Sequence, residues 1–189
     1  MADIGVKSDN RWASGQGLPS VVTVGNPSLR AIADRHLDIT CSRSLCEELV
    51  VKLREFNGAG LAASQIGRPE AIVVVEVRKT DLFPDREESP LYVMIKPEIT
   101  EYIGPVEMGW EGCFSVPGLM AQVERHHSVK VSWTDIEGQA HSETFKGYLA
   151  RVVQHEVDHL KGLLFTDRMD VSTLSTVANW KKYHWAESK

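Results

Sequence analysis

Cysteine is scarce in this chain: Cys41, Cys46 and Cys113 are the only three among 189 residues, and an odd number cannot pair off internally. That excludes a disulfide-stapled secreted scaffold and fits a reducing compartment, where thiols stay available for metal binding or catalysis. Positive charge is scarce as well. The 21 basic residues against 26 acidic ones leave a net charge of -5 with neutral His, so no global field draws the chain to DNA or to an anionic membrane. Long apolar runs are missing. The longest, Ala71 to Val75, falls far short of the ~20 residues a spanning helix needs, and Asp3 and Asp9 stand where a signal peptide is basic and apolar. A cytoplasmic, bacterial location is therefore expected, with an organelle left open and the acidic leader speaking against a transit peptide. What is present is ordinary: 42% hydrophobic and 25% charged residues suit a globular chain that buries a core.

Pattern along the chain predicts three regions. Residues 1–20 hold Gly5, Gly15, Gly17 and Pro19 among polar residues without a period, which reads as a disordered leader lacking chemistry. Residues 21–170 read as a single catalytic domain, and residues 171–189 as a tail. Inside the domain, Leu45, Leu49, Leu53 and Phe56 recur at helical spacing, with Ser44 and Glu47 placed as a capping box and Asn57-Gly58 as the stop. Residues 71–77, 92–95, 129–133 and 140–145 are rich in β-branched or aromatic side chains and read as strands. Residues 81–90, with two prolines, read as a surface loop. From Tyr148 the period lengthens again toward Gly162, predicting a second helix. In the tail, Trp180, Tyr183 and Trp185 alternate with Lys181 and Lys182, a pattern for a short amphipathic helix packed on the core.

The chemistry lies in that second helix. His155-Glu156-Val157-Asp158-His159 is an H-E-x-x-H segment: residues four apart stand one turn above each other, so both imidazoles can reach one metal ion while Glu156 faces the open coordination position. The competing reading has two ordinary histidines and a solvated carboxylate. A glutamate on an otherwise apolar helical strip speaks against it, because burial without a partner costs several kcal/mol. A catalytic site typically needs a third protein ligand. The H-x-x-G-x-x-H continuation fails at Phe165, and the only later glutamate is Glu187 at the chain end. Asp167 and Asp170 remain candidates. By ligand chemistry Cys113 is better placed, between glycine-bearing turns in Glu111-Gly112-Cys113-Phe114-Ser115, although a free cysteine taken alone is more often a small buried hydrophobe.

Three blocks in order resemble the peptide deformylase family. They are Gly58-Ala59-Gly60-Leu61-Ala62-Ala63-Ser64-Gln65 (G-x-G-x-A-A-x-Q), Glu111 to Ser115 (E-G-C-x-S) and Gln154 to Gly162 (Q-H-E-x-D-H-L-x-G). The likeness runs from about Val22 to about Asp170. It implies Cys113, His155 and His159 as metal ligands, Glu156 as acid/base, and Gln65 with the backbone N–H of Phe114 as oxyanion donors. Gly60, Glu111 and Gly112 would border the substrate cleft, and Arg125 would pair with Glu111 as a surface ion pair of small value. The implied activity is removal of the formyl group from the N-terminal methionine of nascent polypeptides. The implied cofactor is one divalent metal, Fe(II) physiologically, with Zn, Ni or Co able to occupy the same ligands.

The resemblance also implies an α+β fold, with antiparallel β-sheets surrounding the central metal-binding H-E-x-x-H helix and the Leu45 helix outside. Implied partners are formyl-methionyl nascent peptides. An ordinary docked tail is preferred over contact between Lys181, Lys182 and the ribosome. Departures from the family pattern are Ala59 for Ile, Phe114 for Leu, Lys96 for Asn and Met120 for Arg; they bear on side-chain preference and touch no ligand. Two other readings carry distinct expectations: an endopeptidase with Asp167 or Asp170 as third ligand, and a non-catalytic member lacking an open coordination position.

Overall fold

Side-chain alternation in one short strand sets out the architecture. In the computed structural model, which describes residues 11–80 and 83–185, strand β2 (Ile72–Val75) is buried along its whole length. Val73 and Val75 face one apolar cluster with Val153, Val157 and Leu160, whereas Ile72 and Val74 face another with Leu45, Leu49 and Leu53. A strand covered on both faces reads as a continuous apolar run rather than an alternating one, which is why Ala71 to Val75 is uninterrupted. The two covers are helix α1 (Ile39–Glu55) and helix α2 (Gly147–His159).

The fold is α+β, as expected, built on an antiparallel sheet of six strands in the path β1-β2-β3-β4-β5, with β6 pairing β4. The remaining strands are β1 (Gly60–Ala62), β3 (Tyr92–Cys113), β4 (Val116–Thr134), β5 (Ala140–Lys146) and β6 (Ser175–Thr176). Helix α2 touches each of β1 to β5, so the sheet wraps around the H-E-x-x-H segment. Where separate sheets were expected, the strands form one. The segments 92–95 and 129–133 are the ends of β3 and β4, two long strands paired almost throughout. Register shifts at Ile95/Glu98 and Ile103/Val106 absorb Pro97 and Pro105, which have no N–H to give to a ladder.

Helix α1 starts six residues earlier than the Ser44 capping box predicts. Its first turn closes on Asp38, whose carbonyl accepts from Ser42 N at 3.1 Å and Ser42 Oγ at 2.8 Å. Its end is where expected: Asn57 takes φ 54° and Gly58 N donates to Leu53 O at 3.0 Å.

The leader divides. Residues 1–10 lie outside the described residues, but residues 11–20 are packed and not the unstructured stretch expected: Trp12–Ser14 form a 3-10 turn, and Leu18 is buried with Val21 and Phe56. A lone Trp and Leu among polar residues carry no period, so pattern reading misses them. In the tail, Thr176 Oγ1 caps α3 (Val177–Tyr183) by accepting from Asn179 N at 3.2 Å, and Val177 and Trp180 bury against Met120. Lys181 and Lys182 stay exposed.

The turn that follows helix α2 closes at Gly162, whose N–H donates to His159 O at 3.1 Å; Gly162 takes φ +71°, and a Cβ there would lie 2.5 Å from the Arg30 carbonyl oxygen. Both left-handed strain and collision with backbone oppose any side chain. Gly162→Ala is expected to destabilise the fold by about 1–3 kcal/mol, read as a lower midpoint in thermal unfolding.

Candidate metal centre and active site

Two elements bring the sequence-predicted ligands together. Cys113 closes β3 at the two-residue turn into β4, where Cys113 pairs with Val116 across Phe114 and Ser115. His155 and His159 stand one turn apart on α2, their rings 5.0 Å between centroids. One ligand atom from each of Cys113, His155 and His159 lies within 4.8 Å of the others, and Cys113 Sγ is 3.4 Å from His159 Nε2. Tetrahedral bonds of about 2.0–2.3 Å to one ion place neighbouring N and S ligands about 3.5 Å apart, so the donor set fits a metal. Burial depresses the His159 pKa well below its usual value, with His155 adding to the effect. Burial works the same way on His155, yet the Cys113 sulfur and the Glu111 carboxylate overcome it and hold that pKa well above the ordinary one. The surroundings of His155 thus favour positive charge, which a bound cation would supply in place of a proton.

Glu111 organises the centre. Its carboxylate accepts from His155 Nδ1 at 2.9 Å, from Arg125 Nε and Nη2 at 3.0 Å each, and from Arg151 Nη1 at 3.0 Å. Arg125 also donates through Nη1 to Asp158 Oδ2, and Asp158 accepts from Arg168 Nε at 2.6 Å and Nη2 at 2.9 Å. The Glu111–Arg125 pair is therefore not a surface pair: side-chain exposures are 5% and 4%. Burial works to raise the Glu111 carboxyl pKa, and the hydrogen bonds from His155 and Arg125 overcome it, keeping the group well below the usual carboxylate range. Glu111 lines the cleft, and its side chain turns to His155. Fixing Nδ1 leaves Nε2 of His155 for the metal.

Glu156 sits beside these ligands in a different setting. It is 3% exposed, its Oε2 meets no hydrogen-bond partner, and burial raises its pKa to about 7. Gly60 makes the room: a Cβ there would approach Glu156 Cδ to 2.7 Å. Gln65 is held by accepting from Ala62 N at 2.8 Å, and its Nε2 reaches Cys113 Sγ at 3.3 Å and Ser115 Oγ at 3.4 Å. Ala62 and Ala63, beside it, are core residues. Gly60, Gln65, Gly112, Cys113, Phe114 and Glu156 all line one cleft of about 1350 Å³. The alternative ligands stand elsewhere: Asp167 is bonded to Arg30 and to Leu164 N, and Asp170 caps Ser172. Burial pushes the Cys46 thiol up to about 11, which removes it from thiolate chemistry.

The sequence profile described as Polypeptide deformylase matches residues 18–174. The chain belongs to the polypeptide deformylase family. It is 34% identical to Peptide deformylase 2 of Nostoc sp., over 85% of this chain and 90% of that one. It is 35% identical to Peptide deformylase 1A, chloroplastic, of Solanum lycopersicum, over 87% of this chain and 64% of that one. Its fold matches the Met-Ala-Ser-bound class I type b peptide deformylase of Acinetobacter baumannii with a TM-score of 0.76 and 36% identity, covering 82% of this chain and 99% of that one. As a deformylase, this enzyme removes the N-formyl group from the N-terminal methionine of nascent peptides, in a family that depends on a metal. Relatives are bacterial and chloroplastic, and among the described residues no helix is long and apolar enough to cross a membrane.

Sequence reasoning missed Arg151, Arg168 and Asp158 as parts of this deformylase site. Asp158 had a signal, its place inside the motif between the two histidines; the two arginines had none, since each reaches its partner only through the fold. Removing the Glu111 charge tests the arrangement. Glu111→Gln leaves two buried guanidinium groups without their carboxylate, so stability is expected to fall by about 3–5 kcal/mol and metal affinity by about 10- to 100-fold, measured by unfolding and by chelator competition. The Glu111 pKa is depressed by folding, so its stabilisation is complete above the ordinary carboxylate value of 4.5 and is lost as pH falls below it. The acid limb of stability against pH is accordingly shallower in Glu111→Gln.

Proposed function

We propose that Cys113, His155 and His159 hold one divalent cation, that Glu156 carries the proton in formyl-peptide hydrolysis, and that Gln65 and the Phe114 N–H hold the developing oxyanion. The observation that carries this reading is the convergence of the three ligand atoms within 4.8 Å beside a buried carboxylate oxygen without a partner. A divalent cation, when bound, supplies Lewis acidity, making water more acidic and the formyl carbonyl more electrophilic.

Glu156 takes the proton released as water adds to the formyl carbon and returns it to the departing amine of methionine, serving as base and then acid. A pKa raised by burial suits both halves of that task, because each transfer is then near balance at neutral pH; a cation beside the carboxylate pulls the value down again. Gln65 Nε2, 3.3 Å from Cys113 Sγ, and the Phe114 N–H, next along the chain from Cys113, supply neutral donors where negative charge develops. Among the described residues two strand edges without a strand neighbour are available to the peptide chain: β1 is the end strand of the sheet, and β3 beyond its first four residues pairs only with β4. Gly60 and Gly112 lie on those two strands and line the cleft, where backbone pairing can hold an extended peptide. We assign Fe(II) as the physiological ion and Zn, Ni and Co as substitutes, on the family likeness, since a Cys-His-His set accepts all four. Exposed Lys181 and Lys182 are the feature that supports contact with anionic ribosomal RNA.

Glu156→Gln is expected to keep its metal content and lose about 10²- to 10⁴-fold in formate release from formyl-Met peptides; activity equal to wild type ends the acid/base assignment. Cys113→Ser is expected to lose metal affinity, and undiminished binding overturns the ligand set. Elemental analysis of protein purified without oxygen checks the iron.

A further inference from the structure

Trp12 lies ahead of the family-matched stretch, which begins at residue 18, yet it reaches into the centre of the site. Its indole Nε1 donates to the Cys113 carbonyl at 2.6 Å, across 101 positions of sequence. The ring lies over Gly112, where a Cβ would stand 2.6 Å from its Cζ2, and meets the Phe114 ring edge-on at 6.2 Å between centroids. The turn that carries it is closed by Gly15 N to Trp12 O at 3.1 Å. It is seated on β4, where a Cβ on Gly118 would come 2.7 Å from Gly15 Cα.

The Cys113 carbonyl and the Phe114 N–H are the two ends of one peptide group. That group is trans, since the chain has no cis peptide among the described residues, and planar, so fixing the direction of its C=O fixes the direction of its N–H. A donor on the oxygen also polarises the group and strengthens the N–H as a donor, by about 10–30% per bond. We propose that Trp12 is a positioning residue: it holds and polarises the Cys113–Phe114 peptide so that the Phe114 N–H is aimed at the oxyanion. This rests on the assignment of that N–H as an oxyanion donor.

Trp12→Phe keeps a ring over Gly112 and deletes only the donor. Replacing Trp12 with benzothienylalanine keeps the bicyclic shape as well, and covers the case in which phenylalanine loosens the turn. In both, kcat for a formyl-Met peptide is expected to fall about 3- to 10-fold, the size of one net hydrogen bond, with KM and metal affinity unchanged. In metal-free protein labelled at the Cys113 carbonyl carbon and the Phe114 nitrogen, the one-bond coupling between these nuclei is expected to fall, because it follows polarisation of that peptide. An unchanged coupling, whatever happens to kcat, overturns the proposal while leaving the Phe114 assignment intact. A changed coupling with wild-type kcat overturns it through the other premise: the peptide is braced, but its N–H does not hold the oxyanion.

Discussion

A buried carboxylate with four hydrogen bonds is the constraint on which the site depends. Glu111 stands two residues before Cys113 on β3, and it bonds His155 on α2, Arg125 on β4 and Arg151 on α2. Each of these ions carries a desolvation cost of several kcal/mol, offset only if the set is complete. Asp158, one residue before His159, extends the same network through Arg125 to Arg168 beyond the helix. A shift of α2 along the sheet would therefore separate several charges at once. The mutual position of thiol and imidazoles is set by this lattice rather than by apolar packing, which tolerates sliding far better.

A second tie works on the backbone. Gln154 turns its amide to strand β4, accepting from His126 N at 3.1 Å and donating to His126 O at 2.8 Å, so a side chain takes the place of a strand neighbour. Its position is fixed relative to His155 by one step along the helix. Register between α2 and β4 is thus specified by polar groups on both sides of the metal-binding turn, consistent with a donor set held ready for its ion.

How much of this was legible in the sequence follows from the reach of each interaction. The i, i+4 histidines are local, so spacing alone placed them on one helical face, and the uninterrupted Ala71 to Val75 run declared a strand. Cys113 as their companion came from the likeness of three blocks, not from periodicity, and the structure sets it within ligand distance. The Glu111–Arg125 pair came the same way, but its burial did not, because burial depends on β3, β4 and α2 closing together. Trp12 and Arg151 act across long stretches of sequence, Arg168 acts across a ten-residue turn beyond the helix, and none leaves a period behind. The length of β3 was hidden for another reason: its middle pairs with β4 only, among the described residues, and is mostly exposed, so it lacks the apolar alternation by which strands are read.

The fold holds the Glu111 and Glu156 carboxylates in opposite states. Both are buried and both lie near His155, yet one is held ionised and the other is raised to about 7. The difference is hydrogen bonding: Glu111 is surrounded by guanidinium and imidazole donors, whereas Glu156 faces the side-chain-free surface of Gly60 and leaves Oε2 without a partner. An ionised Glu111 fixes a ligand and gains nothing by moving its proton. A carboxyl raised by burial suits the proton-carrying role proposed for Glu156, and a bound cation draws its pKa back down. The absent side chain at Gly60 is what leaves room for that carboxyl, since a Cβ there would stand 2.7 Å from Glu156 Cδ and Cγ. Any larger residue would have to displace the Glu156 side chain from its place beside His155, so the position of this carboxyl depends on a glycine from another element of the fold.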